Sequence, residues 1–254
     1  MSAVSIGTPL SQIVDEARRL ATAALERDVP IRLVGGLAVR IRVDEAFHPG
    51  LSREYKDIDF VTIKGRSKVV ARFLEAMGYE PNQAFNAMNG HERLLFNDAS
   101  NERQVDVFVG AFRMCHEIPI TDRITLDPLT LPLAELLLTK LQIVSLNEKD
   151  LRDVIAILHH HEVGDHDGDL INAARVAQLC AGDWGLWRTC KMNFERVHAG
   201  LADYDMAQGE RSVVAQRLDR LWERIDAEPK SRGWRLRDRI GDRKRWYDEP
   251  EEVE

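Results

Sequence analysis

Two carboxylates spaced for one face of a β-strand are the feature that most constrains this chain. Asp57 and Asp59 stand two residues apart in residues 55–61, within a run of apolar and β-branched side chains. Every second side chain of a strand points to the same face, so both carboxylates would lie side by side. Like charges held that close repel one another unless a cation lies between them. The pattern therefore predicts a strand that carries a divalent metal site.

A strand, a diglycine and a helix are predicted just upstream. Residues 31–34 form a short β-branched run, Gly35 and Gly36 follow, and residues 37–41 have the composition of a helix. Glycine allows a sharp turn and a close approach to a ligand, and the free N–H groups of a helix start suit a phosphate. An isolated Gly-Gly is more often a plain tight turn, and the longer glycine-rich nucleotide motifs are absent from this stretch.

Two cations precede the paired carboxylates. Arg53 and Lys56 follow a loop-like stretch and stand immediately before Asp57. Beside a metal-binding pair they could hold a polyphosphate. Solvated charges at the entry to a strand are the alternative, and on these residues alone the alternative is favoured.

A third carboxylate lies in a later predicted strand. Residues 92–96 and 104–109 are extended runs, and residues 97–101 between them have the composition of a hairpin turn. Asp106 is flanked there by apolar residues, where a charge is costly unless it is paired or bound to metal. If this strand lies beside the Asp57 strand, Asp106 completes a cluster of three carboxylates.

Composition places the chain among soluble intracellular proteins. Its 254 residues are 44% hydrophobic, which is enough for one large domain or two small ones. The net charge of −7 offers no global basic field for nucleic acid. The three cysteines are far apart, which favours reduced thiols, and no stretch has the pattern of a leader or a membrane span. We expect a cytoplasmic protein with no membrane partner.

The second half of the chain is predicted to be helical. Residues 131–141 form a nearly all-apolar helix that contains Lys140, and a further helix begins after Asn147. Residues 211–246 are locally basic and carry Trp222, Trp234 and Trp246. Basic residues with aromatic rings could bind RNA. A solvated helix whose tryptophans pack on the core is the favoured alternative.

The order of these motifs resembles the nucleotidyltransferase superfamily, which has the polymerase-β-like fold. Within it, the chain is similar to the abortive-infection (AbiEii-type) toxin branch and its relatives. The similarity lies in residues 33–39, 53–59, 135–141 and 149–154. It covers the part of the chain from about residue 30 to about residue 160 and leaves the helical remainder unmatched.

This resemblance implies an α+β fold with a mixed sheet and flanking helices, followed by a C-terminal helical region. The domains would be a nucleotidyltransferase catalytic domain at 1–130, a helical domain at 131–247 and a disordered acidic tail at 248–254. The implied activity transfers a nucleoside monophosphate from a nucleoside triphosphate (NTP) to an acceptor hydroxyl and releases pyrophosphate. Mg²⁺ or Mn²⁺, with two ions in the site, would be the cofactor.

The resemblance also assigns roles to individual residues. Those that would bind metal and catalyse are Asp57, Asp59 and Asp106. Those that would contact the nucleotide and its phosphates are Gly35, Gly36, Arg53, Lys56 and Lys140. A further acidic site would comprise Asp150 and Asp153.

The acceptor is left open by the sequence. RNA is the acceptor that the toxin branch implies, and a cognate antitoxin protein would then be a partner. A protein side chain is another acceptor. The alternatives are a small-molecule (aminoglycoside-type) nucleotidyltransferase and a non-catalytic nucleotide-binding protein on the same fold.

Overall fold

The computed structural model describes residues 7–43 and 48–249. It confirms the predicted α+β class, with a mixed five-stranded sheet and, within these ranges, ten α-helices. The described residues divide into two compact units. The first unit takes the described parts of Met1–Arg42, Glu54–Phe112 and Ile118–Leu131, and the second takes those of Val43–Arg53, Arg113–Glu117 and Pro132–Glu254.

The strands are short and most lie in the first half of the chain. They are β1 (Ile31–Val34), β2 (Ile58–Thr62), β3 (Glu80–Pro81), β4 (Arg93–Asp98), β5 (Arg103–Val109), β6 (Ala111–Arg113), β7 (Glu117–Pro119), β8 (Val163–Gly164) and β9 (Ile171–Asn172). The helices are α1 (Ile13–Glu26), α2 (Gly35–Arg42), α3 (Ser67–Ala76), α4 (Gln83–Asn89), α5 (Leu133–Leu141), α6 (Glu148–His160), α7 (Ala173–Gly182), α8 (Trp184–Gly200), α9 (Gln208–Ala227) and α10 (Arg232–Ile240).

The main sheet of the first unit has the strand order β1-β2-β5-β4-β3. β2 pairs with β5 in parallel, and the other neighbours pair antiparallel. Strands β1, β2 and β5 are buried along nearly their whole length, and Phe60 on β2 is fully enclosed between its partners Leu33 and Val107. Apolar side chains on both faces of a strand are expected where a sheet is covered on both sides.

The hairpin predicted from residues 92–109 is confirmed. β4 and β5 run antiparallel, with Asp98 opposite Arg103 at the closed end. The side chain of Asp98 accepts hydrogen bonds from the backbone of Ser100 and Asn101, which fixes the turn. The condition set for Asp106 is also met, since its strand lies directly beside β2.

The helical unit is built around α5. Every residue of α5 is buried, and helices α6, α7 and α8 pack against it. Its apolar sequence therefore reflects a central position rather than a membrane span. Within the described ranges, none of the helices combines the length and the apolar character needed to cross a membrane.

The tryptophans of the basic segment pack on the two tryptophans of α8. The ring of Trp187 lies 5.9 Å from Trp222 and 5.0 Å from Trp234, and the ring of Trp184 lies 6.1 Å from Trp246. Beyond them, most of the predicted acidic tail lies outside the described residues. Asp248 is described, and its N–H donates to the carbonyl of Cys115.

Replacing Phe60 by alanine should open a cavity in the centre of the sheet. Phe60→Ala is expected to lower the free energy of unfolding by about 3–5 kcal/mol, measured by urea unfolding. Val69→Ala is the matched control, because Val69 is 40% exposed on α3 and its truncation should cost within about 0.5 kcal/mol. Equal effects of the two substitutions would contradict the placement of β2 in the core.

Candidate functional site

Asp59 and Asp106 lie side by side on the two central strands. They are register partners in the parallel pairing of β2 with β5. Partners in adjacent strands are about 4.8 Å apart along the hydrogen-bonding direction and point to the same face. Asp106 is buried and Asp59 is half-buried, so two carboxylates share a site that is partly closed to water.

The diglycine turn packs directly against Asp59. Val34, the last residue of β1, is paired with Asp59, and Gly35 begins α2 with a φ of 71°. A Cβ atom at position 35 would lie 2.3 Å from Asp59 Oδ2. Glycine is therefore required twice, once for the left-handed backbone and once for the space that the carboxylate occupies. A carboxylate is also stabilised by the positive end of a helix dipole.

Asp106 is held by an arginine that the sequence reasoning missed. Arg93 Nε donates to both carboxylate oxygens, at 2.8 Å to Oδ1 and 3.0 Å to Oδ2, and a terminal nitrogen also pairs with Oδ2. The guanidinium carbon lies 5.0 Å from the centre of the Phe108 ring. The register of the β4–β5 hairpin is the feature that predicts this contact. Leu95 stands opposite Asp106, so Arg93 is its diagonal neighbour on the same face.

Asp57 and Lys56 precede the sheet rather than lie within it. β2 begins at Ile58, and both side chains before it are exposed. Across residues 7–43 and 48–249, no group of three or more His, Cys, Asp or Glu side chains is arranged to hold a metal ion. The three-carboxylate metal site therefore stays a prediction.

The donors present nevertheless have the chemistry of a magnesium site. Mg²⁺ is a hard ion that usually takes one or two protein carboxylates and completes its shell with substrate phosphates and water. The neighbouring pair of Asp59 and Asp106 supplies that number of carboxylates. Because Arg93 already neutralises Asp106, an ion there would compete with the guanidinium.

The other predicted site residues meet in the second unit, in a buried ion cluster. Lys140 Nζ on α5 lies 2.8 Å from Asp150 Oδ1 and 2.9 Å from Asp153 Oδ2 on α6. Arg53 donates two hydrogen bonds of 2.8 Å to the carboxylate of Asp153. The two aspartates are three residues apart on a helix, which places them on one face toward Lys140. We call these four residues the Lys140 cluster.

Mutual attraction keeps this cluster charged despite its burial. Burial acts to lower the pKa of Lys140, but the charges of Asp153 and Asp150 outweigh it and raise that pKa. Burial likewise acts to raise the pKa of Asp153, but Lys140 and Arg53 together lower it. The cluster ties α5, α6 and the segment ending at Arg53 into one unit. Phosphate binding by Arg53 and Lys140 stays a prediction, since here carboxylates hold both cations.

Two comparisons with known proteins were negative. No protein-family model matches the chain. The search of curated proteins likewise finds no match.

Adding a methyl group at position 35 should strain the turn and displace Asp59. Gly65 is a matched control, because it also has a left-handed φ, of 79°, but a Cβ there meets nothing within 4 Å. Gly65→Ala should cost only the backbone term of about 1–2 kcal/mol. Gly35→Ala should cost a further ~1–3 kcal/mol from the overlap, measured by urea unfolding. Equal costs would contradict the contact between residue 35 and Asp59.

Removing the central cation of the Lys140 cluster should take from buried Asp150 the cation that it pairs with and leave buried Asp153 with Arg53 alone. Lys140→Met is expected to lower the free energy of unfolding by about 3–5 kcal/mol at neutral pH. Arg113→Met is the control, since the Arg113–Glu117 pair is solvent-exposed and should cost under ~1 kcal/mol.

The pH dependence of that loss follows from the pKa directions. The contribution of Asp153 is present above its unfolded pKa and is lost as the pH falls through its lowered folded pKa. The contribution of Lys140 is present below its unfolded pKa and is lost as the pH rises through its raised folded pKa. The difference between wild type and Lys140→Met should thus be largest from about pH 4 to about pH 10. A difference that grows below that range would contradict this account.

Proposed function

We propose that this protein is a nucleotidyltransferase, which moves a nucleoside monophosphate from an NTP to an acceptor hydroxyl and releases pyrophosphate. The observation that carries the proposal is the pairing of Asp59 with Asp106 on adjacent parallel strands, with the Gly35 turn packed against Asp59. The order of motifs that resembles the superfamily supports it as well.

Asp57, Asp59 and Asp106 are the residues that would hold the divalent ions. When bound, Mg²⁺ would neutralise the charge on the transferring phosphate and on the attacking and leaving oxygens. Asp59 and Asp106 already share a face of the sheet, and Asp57 stands two residues before Asp59, just outside β2.

The remaining residues of the first unit would bind and orient the nucleotide. The first turn of α2 has N–H groups without partners in the helix, which are suited to phosphate oxygens. The absence of a side chain at Gly35 lets the Asp59 carboxylate lie against the turn that begins α2. Lys56 is exposed and precedes Asp57 in the chain, and its charge can neutralise a phosphate of the bound nucleotide.

In the proposed reaction, Arg93 would pair first with Asp106 and then with the triphosphate. Its planar guanidinium forms a two-point contact with Asp106, and a triphosphate offers the same geometry. Transfer of Arg93 from the carboxylate to the phosphate would free Asp106 to act on the acceptor hydroxyl. The experiment below supplies RNA as the acceptor, and a protein side chain and a small molecule are the other candidate acceptors.

A second candidate function is nucleotide binding without catalysis. The Arg93–Asp106 ion pair favours it, because a buried carboxylate that is already neutralised needs no metal. A protein of this kind would bind an NTP in the absence of Mg²⁺ and release no pyrophosphate.

Incubation with each labelled NTP, Mg²⁺ and total cellular RNA separates the two candidates. We expect pyrophosphate release that depends on Mg²⁺ and falls about a thousandfold in Asp59→Asn and in Asp106→Asn, because each substitution removes a charge that stabilises the transition state. Asp122→Asn is the control, since Asp122 is an exposed carboxylate of the same unit. Thermal unfolding of each variant confirms that it is folded.

Three outcomes would count against the proposal. Pyrophosphate release that persists in Asp59→Asn would contradict the metal assignment. NTP binding that survives chelation of Mg²⁺, without pyrophosphate release, would support the non-catalytic candidate. Equal loss in Asp122→Asn would mean that the measured activity is not specific to the paired carboxylates.

A further inference from the structure

Helix α10 has an inner face that anchors it to the second unit. Trp234 Nε1 donates to the carbonyl of Cys180 at 3.0 Å. One turn later, the guanidinium carbon of Arg237 lies 4.2 Å from the centre of the Trp184 ring, and Asp238 accepts a 2.7 Å hydrogen bond from Trp184 Nε1. These inner residues recur at helical spacing, so the tryptophan rings face the protein rather than solvent.

The opposite face of α10 is both basic and apolar. Arg232, Arg235, Leu236, Arg239 and Ile240 follow the spacing of one helical stripe, and all five are exposed. Leu236 is 62% exposed and Ile240 is 42% exposed. We call these five residues the outer stripe of α10.

Within residues 7–43 and 48–249, the cations of the outer stripe form no ion pair with a carboxylate. The side chains of Arg232 and Arg239 make no hydrogen bond or ion pair within the part of the chain that the structure describes. The Arg235 side chain donates two hydrogen bonds to the carbonyl oxygen of Lys230, and no carboxylate of the described residues pairs with it. The outer stripe therefore combines three guanidinium groups with two large aliphatic side chains, and among the described residues the guanidinium groups have no carboxylate partner.

We propose that the outer stripe of α10 docks an acidic protein segment that carries aliphatic side chains. Carboxylates would pair with the three arginines and aliphatic groups would cover Leu236 and Ile240, which is the mixture of apolar centre and arginine contacts found at protein interfaces. Two helical turns offer a small surface, so the complex would be at the weak, transient end of the range. This proposal does not depend on the nucleotidyltransferase activity proposed above.

A nucleic acid fits the outer stripe less well. Phosphates would satisfy the arginines, but Leu236 and Ile240 have no role against a phosphate backbone. Single-stranded nucleic acid is usually held by base stacking on aromatic rings, and the outer stripe has no aromatic residue. The tryptophans that a sequence-based RNA interpretation relies on lie on the inner side or in the cluster beneath it.

Binding of three synthetic probes to the full-length protein tests this proposal. The first probe is a helical peptide with leucine and glutamate at i, i+3 and i+4 spacing, and the second is the same peptide with glutamine in place of leucine. The third is a single-stranded RNA oligonucleotide of the same net charge. We expect the leucine–glutamate peptide to bind most tightly, because only this peptide satisfies both components of the outer stripe.

Two double variants separate the ionic and the apolar contributions. Arg235→Glu with Arg239→Glu, and Leu236→Ser with Ile240→Ser, should each weaken peptide binding at least about tenfold. The matched control is Val69→Ser with Arg72→Glu on α3, which makes the same types of change at two exposed positions and should stay within about twofold. Thermal unfolding shows that each variant is folded.

The outcomes that would overturn the proposal are distinct. RNA or the leucine-free peptide binding as tightly as the leucine–glutamate peptide would identify a general polyanion surface. The proposed docking surface would be ruled out if the leucine–glutamate peptide did not bind the wild type. It would also be ruled out if this peptide bound the α10 variants and the wild type equally.

Discussion

The parallel pairing of β2 with β5 is the interaction on which the candidate site depends. It sets Asp59 beside Asp106 and brings the β4–β5 hairpin, with Arg93, to the same face of the sheet. Parallel strands need a long connection, so this pairing is made between segments far apart in sequence. A slip of one residue in the register would turn one of the two carboxylates to the opposite face.

Local sequence patterns predicted the strands and helices, but they did not predict which side chains contact one another. The alternation around Asp59, the hairpin turn after β4 and the apolar α5 all follow from short-range periodicity. The role of Arg93 depends on a diagonal contact across two strands, which requires the register and not only the strands. The Lys140 cluster likewise arises from the packing of α5 on α6, and the metal site and the nucleotidyltransferase identity remain predictions.

Three deeply buried carboxylates each have an opposite charge at hydrogen-bonding distance. Asp106 has Arg93, Asp153 has Lys140 and Arg53, and Glu135 on α5 has Arg175. The sequence allowed two ways to offset the cost of burying Asp106, a paired charge or a metal, and Arg93 supplies the paired charge. A charge in an apolar strand therefore indicates that a partner exists, but it does not say whether that partner is an ion or a side chain.

The contact between Gly35 and Asp59 restricts which residues can stand at these two positions. The carboxylate fills the space that a side chain at position 35 would need, so the two positions are coupled sterically. A chain that kept this turn could gain a side chain at 35 only by shortening or moving the residue at 59, and the left-handed backbone would still disfavour it. In any homologue, the residue aligned with Gly35 therefore reports on whether the carboxylate at 59 can occupy the same position.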